Sequence, residues 1–75
     1  MMRVTIKLFA SFRAGRFTSE VRDYTEPVTP GDIAKELGIQ PKSVGVMLRN
    51  GIQSTLDDQL LDGDQLSLIP RISGG

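Results

Sequence analysis

The chain has 75 residues, enough for one small hydrophobic core but too few for two domains. Nine basic residues balance nine acidic ones, so the composition predicts no long-range field that would attract nucleic acid or an anionic membrane. Cysteine and histidine are absent from the sequence, which excludes disulfides, zinc-finger ligand sets and Cys-His nucleophilic pairs. We therefore expect neither a metal site nor an enzyme. With no apolar run near the about 20 residues of a membrane span and no secretory signal, we expect a cytoplasmic protein.

The first half of the chain predicts two strands and a helix. Val4, Ile6 and Leu8 alternate with polar residues, which predicts a strand over residues 3–9 with one buried face. A long hairpin loop over residues 10–18 then leads to a second strand near residues 20–24.

A helix is predicted to begin after Thr29, with Pro30 at its first position and Asp32 three residues after the cap. Gly38 stands where a helix ends with a left-handed residue, and Ile39 can fold back onto the helix as the accompanying apolar contact. The resulting helix has about two turns, so it should depend on packing.

The second half predicts three more strands. Alternating apolar residues predict a third strand from Val44 to Leu48, and Asn50-Gly51 predicts a hairpin into a brief strand at residues 52–53. The remaining predictions are a single helical turn within Leu56–Leu61, a turn at Asp62-Gly63-Asp64 and a last strand over residues 65–71.

These elements predict a two-layer α+β unit over residues 1–71, in which one main helix covers one face of a mixed sheet of four to five strands. The last four residues, Ile72-Ser73-Gly74-Gly75, form a flexible tail in this interpretation. The residues expected to face the helix are Val4, Ile6, Leu8, Val44, Val46, Leu48, Leu66 and Leu68.

The same period-two pattern predicts an apolar patch on the open face of the sheet, formed by Phe9, Met47 and Ile69. Arg49 and Arg71 fall in the same phase and would add positive charge to its rim. Single exposed apolar residues are also common on proteins without any partner. The acidic residues Asp57, Asp58, Asp62 and Asp64 are read as a solvated turn region, with a second contact as the alternative.

The element order, the turn Asp62-Gly63-Asp64, Pro70 and the ending Gly74-Gly75 resemble the ThiS/MoaD family of ubiquitin-like, β-grasp sulfur carriers. The opening from Val4 to Arg13 is similar to the molybdopterin branch, although Arg71 stands where that branch has a second proline.

This resemblance implies that the carboxylate of Gly75 is adenylated and converted to a thiocarboxylate, with Gly74 beside it in a narrow channel. The implied partners are a ThiF/MoeB-like adenylating enzyme, which uses ATP, and a sulfur-accepting synthase subunit, MoaE-like or thiazole synthase-like. The chain itself would bind no cofactor and would contact its partners through the open-face residues.

A molybdopterin synthase small subunit is the leading interpretation of the function. Sulfur delivery to the thiamine thiazole or to tRNA, conjugation to target lysines as a ubiquitin-like modifier, and a non-covalent β-grasp interaction domain are the alternatives.

Overall fold

The computed structural model describes residues 1–71, so the predicted tail, residues 72–75, lies outside the described residues. Five strands form one sheet in the order β2-β1-β5-β3-β4, in which β1 and β5 are parallel and the other neighbours are antiparallel. The elements are β1 (Met2–Leu8), β2 (Ser19–Tyr24), α1 (Pro30–Glu36), β3 (Val44–Arg49), β4 (Ile52–Gln53) and β5 (Gln65–Pro70). The predicted mixed sheet with one main helix, the β-grasp arrangement, is therefore confirmed.

Both ends of α1 form as the sequence predicts. The Asp32 N–H donates to the Thr29 hydroxyl (3.2 Å) and the Thr29 N–H donates to the Asp32 carboxylate (3.0 Å), which completes a capping box. At the other end Gly38 has a φ of +75° and the Ile39 N–H donates to the Ala34 carbonyl at 2.8 Å. Ile39 is buried, so the residues at the two helix ends determine both the length of α1 and the direction in which the chain leaves it.

The core lies between α1 and the central strands. Ile6 pairs with Leu66 and Leu8 with Leu68 across the parallel ladder, and all four side chains are fully buried. Ile33 on α1 is equally inaccessible and belongs to the same cluster. The assignment of alternate β1 and β5 residues to the helix side is confirmed.

Strand β3 departs from the predicted pattern because it contains a bulge between Val44 and Val46. One extra residue in a strand inverts the phase of every side chain that follows it. Met47 consequently lies opposite Leu68 and is only 9% exposed, whereas Val46 is 41% exposed. The predictions that Val46 and Leu48 face the helix and that Met47 lies on the open face are wrong for this reason.

The segment between β4 and β5 forms a turn at residues 56–57 rather than the predicted helical turn. The Gly31 N–H donates to the Leu56 carbonyl (3.0 Å) and the Leu60 N–H donates to the Val28 carbonyl (3.1 Å), so the segment is tied to the start of α1. Leu60 is fully buried and Leu61 is exposed. One local bond, from the Asp58 N–H to the Thr55 carbonyl (3.2 Å), closes the turn, and the long-range bonds fix the position of the segment.

Two 3-10 helices, Ala10–Arg13 and Pro41–Ser43, were not predicted. The first follows β1 and buries Phe12, and the second leads directly into β3. No helix within residues 1–71 is long and apolar enough to cross a membrane.

Candidate functional site at the exit of the carboxyl-terminal segment

The chain leaves the fold from the end of β5, which lies in the sheet between β1 and β3. Pro70 pairs with Val44, and the Arg71 N–H donates to the Ser43 carbonyl at 2.8 Å. Arg71 is the last described residue and its side chain is exposed. The backbone is therefore held by β3 up to the point at which the candidate tail begins. Gly74 and Gly75 lie outside the described residues.

Gly45 permits a close approach at this exit. A Cβ atom on Gly45 would lie 2.6 Å from the Arg71 Cα and 3.0 Å from the Arg71 nitrogen, which is too close for any other residue without movement of the backbone. An isolated glycine within a strand pattern is a sequence signal of a bulge or of close backbone approach. Gly45 carried that signal, and sequence reasoning did not use it.

The open face of the sheet near the exit carries an apolar patch whose members differ from the prediction. Ile69 is partly buried and pairs with the exposed Val46 on β3. Phe9 directly follows β1 and is partly buried, with the guanidinium of Arg13 over its ring, 5.6 Å from the centroid. We name Phe9, Val46 and Ile69 the open-face patch. Val46 replaces Met47 in it because of the bulge.

Arg49 does not lie at the rim of this patch. It pairs with Leu66, and thus follows Met47 onto the helix side of the sheet, at the end opposite the exit. Its Nε donates to the Asp64 carboxylate at 2.7 Å, and a second nitrogen lies 3.5 Å from Asp58. The predicted placement of Arg49 beside the exposed patch is therefore wrong, because its charge is engaged within the fold.

Asp64 is the centre of that polar cluster and is only 6% exposed. Besides Arg49, its carboxylate accepts hydrogen bonds from the Asn50 amide (2.9 Å) and from the Leu61 N–H (2.7 Å). Burial alone would raise the pKa of Asp64, but these hydrogen bonds outweigh it and hold the pKa below its usual value. The ionised carboxylate thus holds the ends of β3 and β5 together.

The turn at residues 62–64 was interpreted as structural, and the contacts agree. Gly63 has a φ of +86° and donates its N–H to the Arg3 carbonyl at 2.8 Å. The Asp62 carboxylate accepts from the Arg3 N–H at 2.7 Å, which ties the turn to the start of β1. The buried role of Asp64 was missed, since an aspartate in a turn carries no sequence signal of burial.

A shallow groove lies beside the exit. Its lining consists of Ser11, Phe12, Lys42, Ser43, Pro70 and Arg71. The two 3-10 helices supply four of these residues, and the end of β5 with Arg71 supplies the rest. Within residues 1–71 no group of three or more acidic side chains is arranged to hold a metal ion. The arrangement places the end of β5 and Arg71 beside an apolar patch and a groove.

Comparison with known proteins adds a family to this geometry. The model of the ThiS family matches residues 6–75, which includes the final Gly-Gly. No curated protein sequence matches the chain.

Among solved structures, small archaeal modifier protein 1 from Haloferax volcanii is 29% identical with a TM-score of 0.71, over 97% of this chain and 99% of that chain. A protein assigned as molybdopterin converting factor subunit 1 in Pyrococcus furiosus is 25% identical with a TM-score of 0.73, over 96% of this chain and 100% of that chain. A complex of subunits 1 and 2 of molybdopterin-converting factor from Helicobacter pylori contains a chain 20% identical, with a TM-score of 0.65 over 99% and 100%, which shows the fold alone.

Proposed function

Because the chain belongs to the ThiS family of ubiquitin-like proteins, we propose that it is a sulfur carrier whose reactive group is the carboxylate of Gly75. The observation that carries this proposal is that the family match extends through Gly75, the residue whose carboxylate the chemistry needs. The exit geometry supports it, because β5 ends at Pro70 and the next residue, Arg71, donates its N–H to the Ser43 carbonyl just before β3. Four extended residues beyond it span at most about 13 Å, enough to enter another protein while the body stays outside.

The proposed reaction has two steps. In the first step the Gly75 carboxylate oxygen attacks the α-phosphorus of ATP, and the bond between the α- and β-phosphates breaks. Pyrophosphate is released, and the product is an acyl-adenylate. In the second step hydrosulfide from a sulfur donor attacks the acyl carbon, and the acyl C–O bond breaks. AMP and a proton are released, and the product is a thiocarboxylate. A persulfide donor would additionally require a thiol reductant to release the acyl sulfur.

Catalysis in this proposal belongs to the adenylating enzyme, and the chain is its substrate. A carrier that reacts at its terminal carboxylate needs no nucleophilic side chain, consistent with a sequence that contains no cysteine. The need for ATP and a sulfur donor makes the cytoplasm the proposed compartment.

Docking to the adenylating enzyme is proposed to use the open-face patch together with Arg71. Val46 is its most exposed member, and its partner Ile69 stands two residues before Arg71. Burial of such apolar side chains at the centre of an interface typically supplies much of the affinity. Met47 and Arg49 are left out of this surface, since one is buried and the other is bonded to Asp64.

The decisive experiment incubates the chain with an E1-like adenylating enzyme, ATP and sulfide, and measures its intact mass. Replacement of one oxygen by sulfur adds about 16 Da, and fragmentation should locate the change at Gly75. The control variants are deletion of Gly75 and addition of one alanine after it. Both should fold like the parent and gain no sulfur. An added mass on an internal residue, or thiocarboxylate formation on the deletion variant, would contradict the proposal.

The acceptor of the sulfur is proposed to be a molybdopterin synthase large subunit. The similarity to the Pyrococcus furiosus subunit 1 supports this destination. Mixing the thiocarboxylated chain with a MoaE-like subunit or with a thiazole synthase, and measuring which consumes the thiocarboxylate, separates it from thiamine thiazole formation. Consumption by a tRNA thiolating enzyme instead would establish the third destination.

A second candidate is conjugation to proteins. The 29% identity to a small archaeal modifier protein over nearly all of both chains favours it. The same adenylate would then be attacked by a lysine ε-amine, which releases AMP and leaves an isopeptide bond. A search for lysines that carry the terminal Gly-Gly remnant after proteolysis distinguishes this outcome from thiocarboxylate formation.

A further inference from the structure

The topology brings basic residues together at the end of the molecule from which the chain exits. Parallel β1 and β5 both end there, and β3, antiparallel to β5, begins there. The segments that adjoin these strand ends therefore surround Arg71. Five of the nine basic residues lie in these segments or in the end of β1 itself, namely Lys7, Arg13, Arg16, Lys42 and Arg71. On β2, Glu20 pairs with Ile6 towards this end of the sheet, and its carboxylate is bonded to Arg22.

Acidic residues collect at the opposite end of the sheet. This end contains the start of β5, the start of β1 and the ends of β2 and β3. Its acidic residues are Asp23, Glu26, Asp58, Asp62 and Asp64, against the basic residues Arg3 and Arg49. A six-residue strand such as β5 separates the two ends by about 20 Å. Although its net charge is zero, the chain therefore has a basic end and an acidic end.

The basic charge at the exit is not neutralised within residues 1–71. The guanidinium of Arg13 donates to the Leu8 carbonyl, and that of Arg16 donates to the Leu37 carbonyl. These acceptors carry no net charge. Lys42 and Arg71 are exposed and form no ion pair with any described residue. At the opposite end, by contrast, Arg3 and Arg49 both pair with aspartates.

Two of these charged residues, Lys42 and Arg71, line the groove beside the exit. Phe12 and Pro70 contribute apolar lining, and Lys42 and Arg71 contribute cations next to the hydrogen bond from the Arg71 N–H to the Ser43 carbonyl. A partner that receives the chain end must contact this surface, because the exit lies within it. Carboxylates are the groups that two exposed cations and a basic end would attract.

We propose that this exit surface docks against an acidic rim of aspartate and glutamate side chains around the channel that receives the chain end, and that the charge separation orients the chain exit-first during encounter. The inference rests on the proposed function, since that channel belongs to the adenylating enzyme. Nucleic acid is the less favoured partner, because the acidic end would be repelled by a long polyanion. Charge steering accelerates association about 10- to 1000-fold and is screened over about 8 Å at physiological salt.

The test compares Lys42→Glu/Arg71→Glu with Lys35→Glu, a single reversal on the exposed face of α1 at a residue that does not line the exit groove. Stopped-flow measurements give the association rate with an E1-like adenylating enzyme at about 20 mM and about 150 mM salt. The double variant should associate at least about tenfold more slowly at low salt and lose most of the salt dependence of the parent. Lys35→Glu should stay within about twofold of the parent.

The milder pair Lys42→Gln/Arg71→Gln and a thermal melt of each variant separate charge effects from misfolding. If the parent becomes adenylated but both exit variants associate at its rate, the inference is overturned while the proposed function stands. If the parent is not adenylated at all, the proposed function itself fails. If heparin binds the parent and not the exit variants, while association with the enzyme is unchanged, the surface is a general anion site and the inference is also overturned.

Discussion

Replacing Gly45 with alanine adds one methyl group at the point where the chain leaves the sheet. The new Cβ would lie 2.6 Å from the Arg71 Cα, about 0.8 Å short of ordinary contact, so either β3 or Arg71 must move. Arg71 follows the last residue of β5 and is held by one hydrogen bond to Ser43, whereas β3 is held by β5 along its length. We expect Arg71 to move.

The cost of this movement can be worked from the contacts. Loss of the bond between the Arg71 N–H and the Ser43 carbonyl costs about 1 kcal/mol, and overpacking costs about 1–3 kcal/mol when the backbone cannot yield. Alanine regains about 0.5–1 kcal/mol over glycine within a strand. The net loss in the free energy of unfolding should be about 1–3 kcal/mol. The fold should survive, but the direction of the exit should change.

Two measurements check this prediction. Amide hydrogen exchange should show loss of protection at Arg71, with the β1 and β5 amides of the core unchanged. Adenylation by an E1-like enzyme should show a lower kcat, since a displacement of about 1 Å at the reacting group can cost up to about 100-fold. Val46→Ala is the control, because it removes exposed methyl groups from the open-face patch and should raise KM instead. Retained protection at Arg71 together with parental kcat would refute the reasoning.

Three further predictions concern stability and docking. Asp64→Asn should lower the free energy of unfolding by about 1–3 kcal/mol at pH 7 in urea titrations, because it removes the buried carboxylate that pairs with the Arg49 guanidinium. The pKa of Asp64 is lowered in the fold, so this stabilisation is present above the unfolded pKa and is lost as the pH falls through the folded value. The variant should therefore lose less stability than the parent as the pH falls below about 4. Met47→Ala should lower the free energy of unfolding by about 2–4 kcal/mol and Val46→Ala by less than about 1 kcal/mol, because Met47 is buried and Val46 is exposed. A larger loss for Val46→Ala in thermal melts would mean that Val46 and not Met47 faces the core. Ile69→Ala should weaken binding to the adenylating enzyme about thirtyfold in calorimetric titrations, and unchanged binding would remove the open-face patch from the docking surface.

Features with a local cause could be predicted from the sequence. The capping box at Thr29 and the left-handed Gly38 are set by residues within one helical turn, and both formed as expected. The alternation of Val4, Ile6 and Leu8 was sufficient for β1, because no irregularity interrupts its pairing with β5. The family resemblance covered the same elements and agrees with the match over residues 6–75.

Strand β3 could not be predicted in the same way, because its phase depends on a partner about 20 residues along the chain. The bulge near Gly45 arises where β3 pairs with the end of β5, and it reverses the faces of Val46 and Met47. Two of the five predicted docking residues, Met47 and Arg49, were misplaced by this single irregularity. Phe9, Ile69 and Arg71 remain at or near the surface beside the exit, and their part in docking stays a prediction.

Net charge was the weakest guide to how the chain meets a partner. Composition gives only the sum, which is zero, whereas the field depends on which strand ends share an end of the sheet. The parallel pairing of β1 with β5 is what brings the basic segment after β1 to the exit, and the antiparallel pairing of β3 brings Lys42 to the same place. Had β1 run antiparallel to β5, Arg13 would lie among the aspartates at the opposite end. The charge polarity is therefore a consequence of the topology, and any chain with the same strand directions and the same basic connections should show it whatever its net charge.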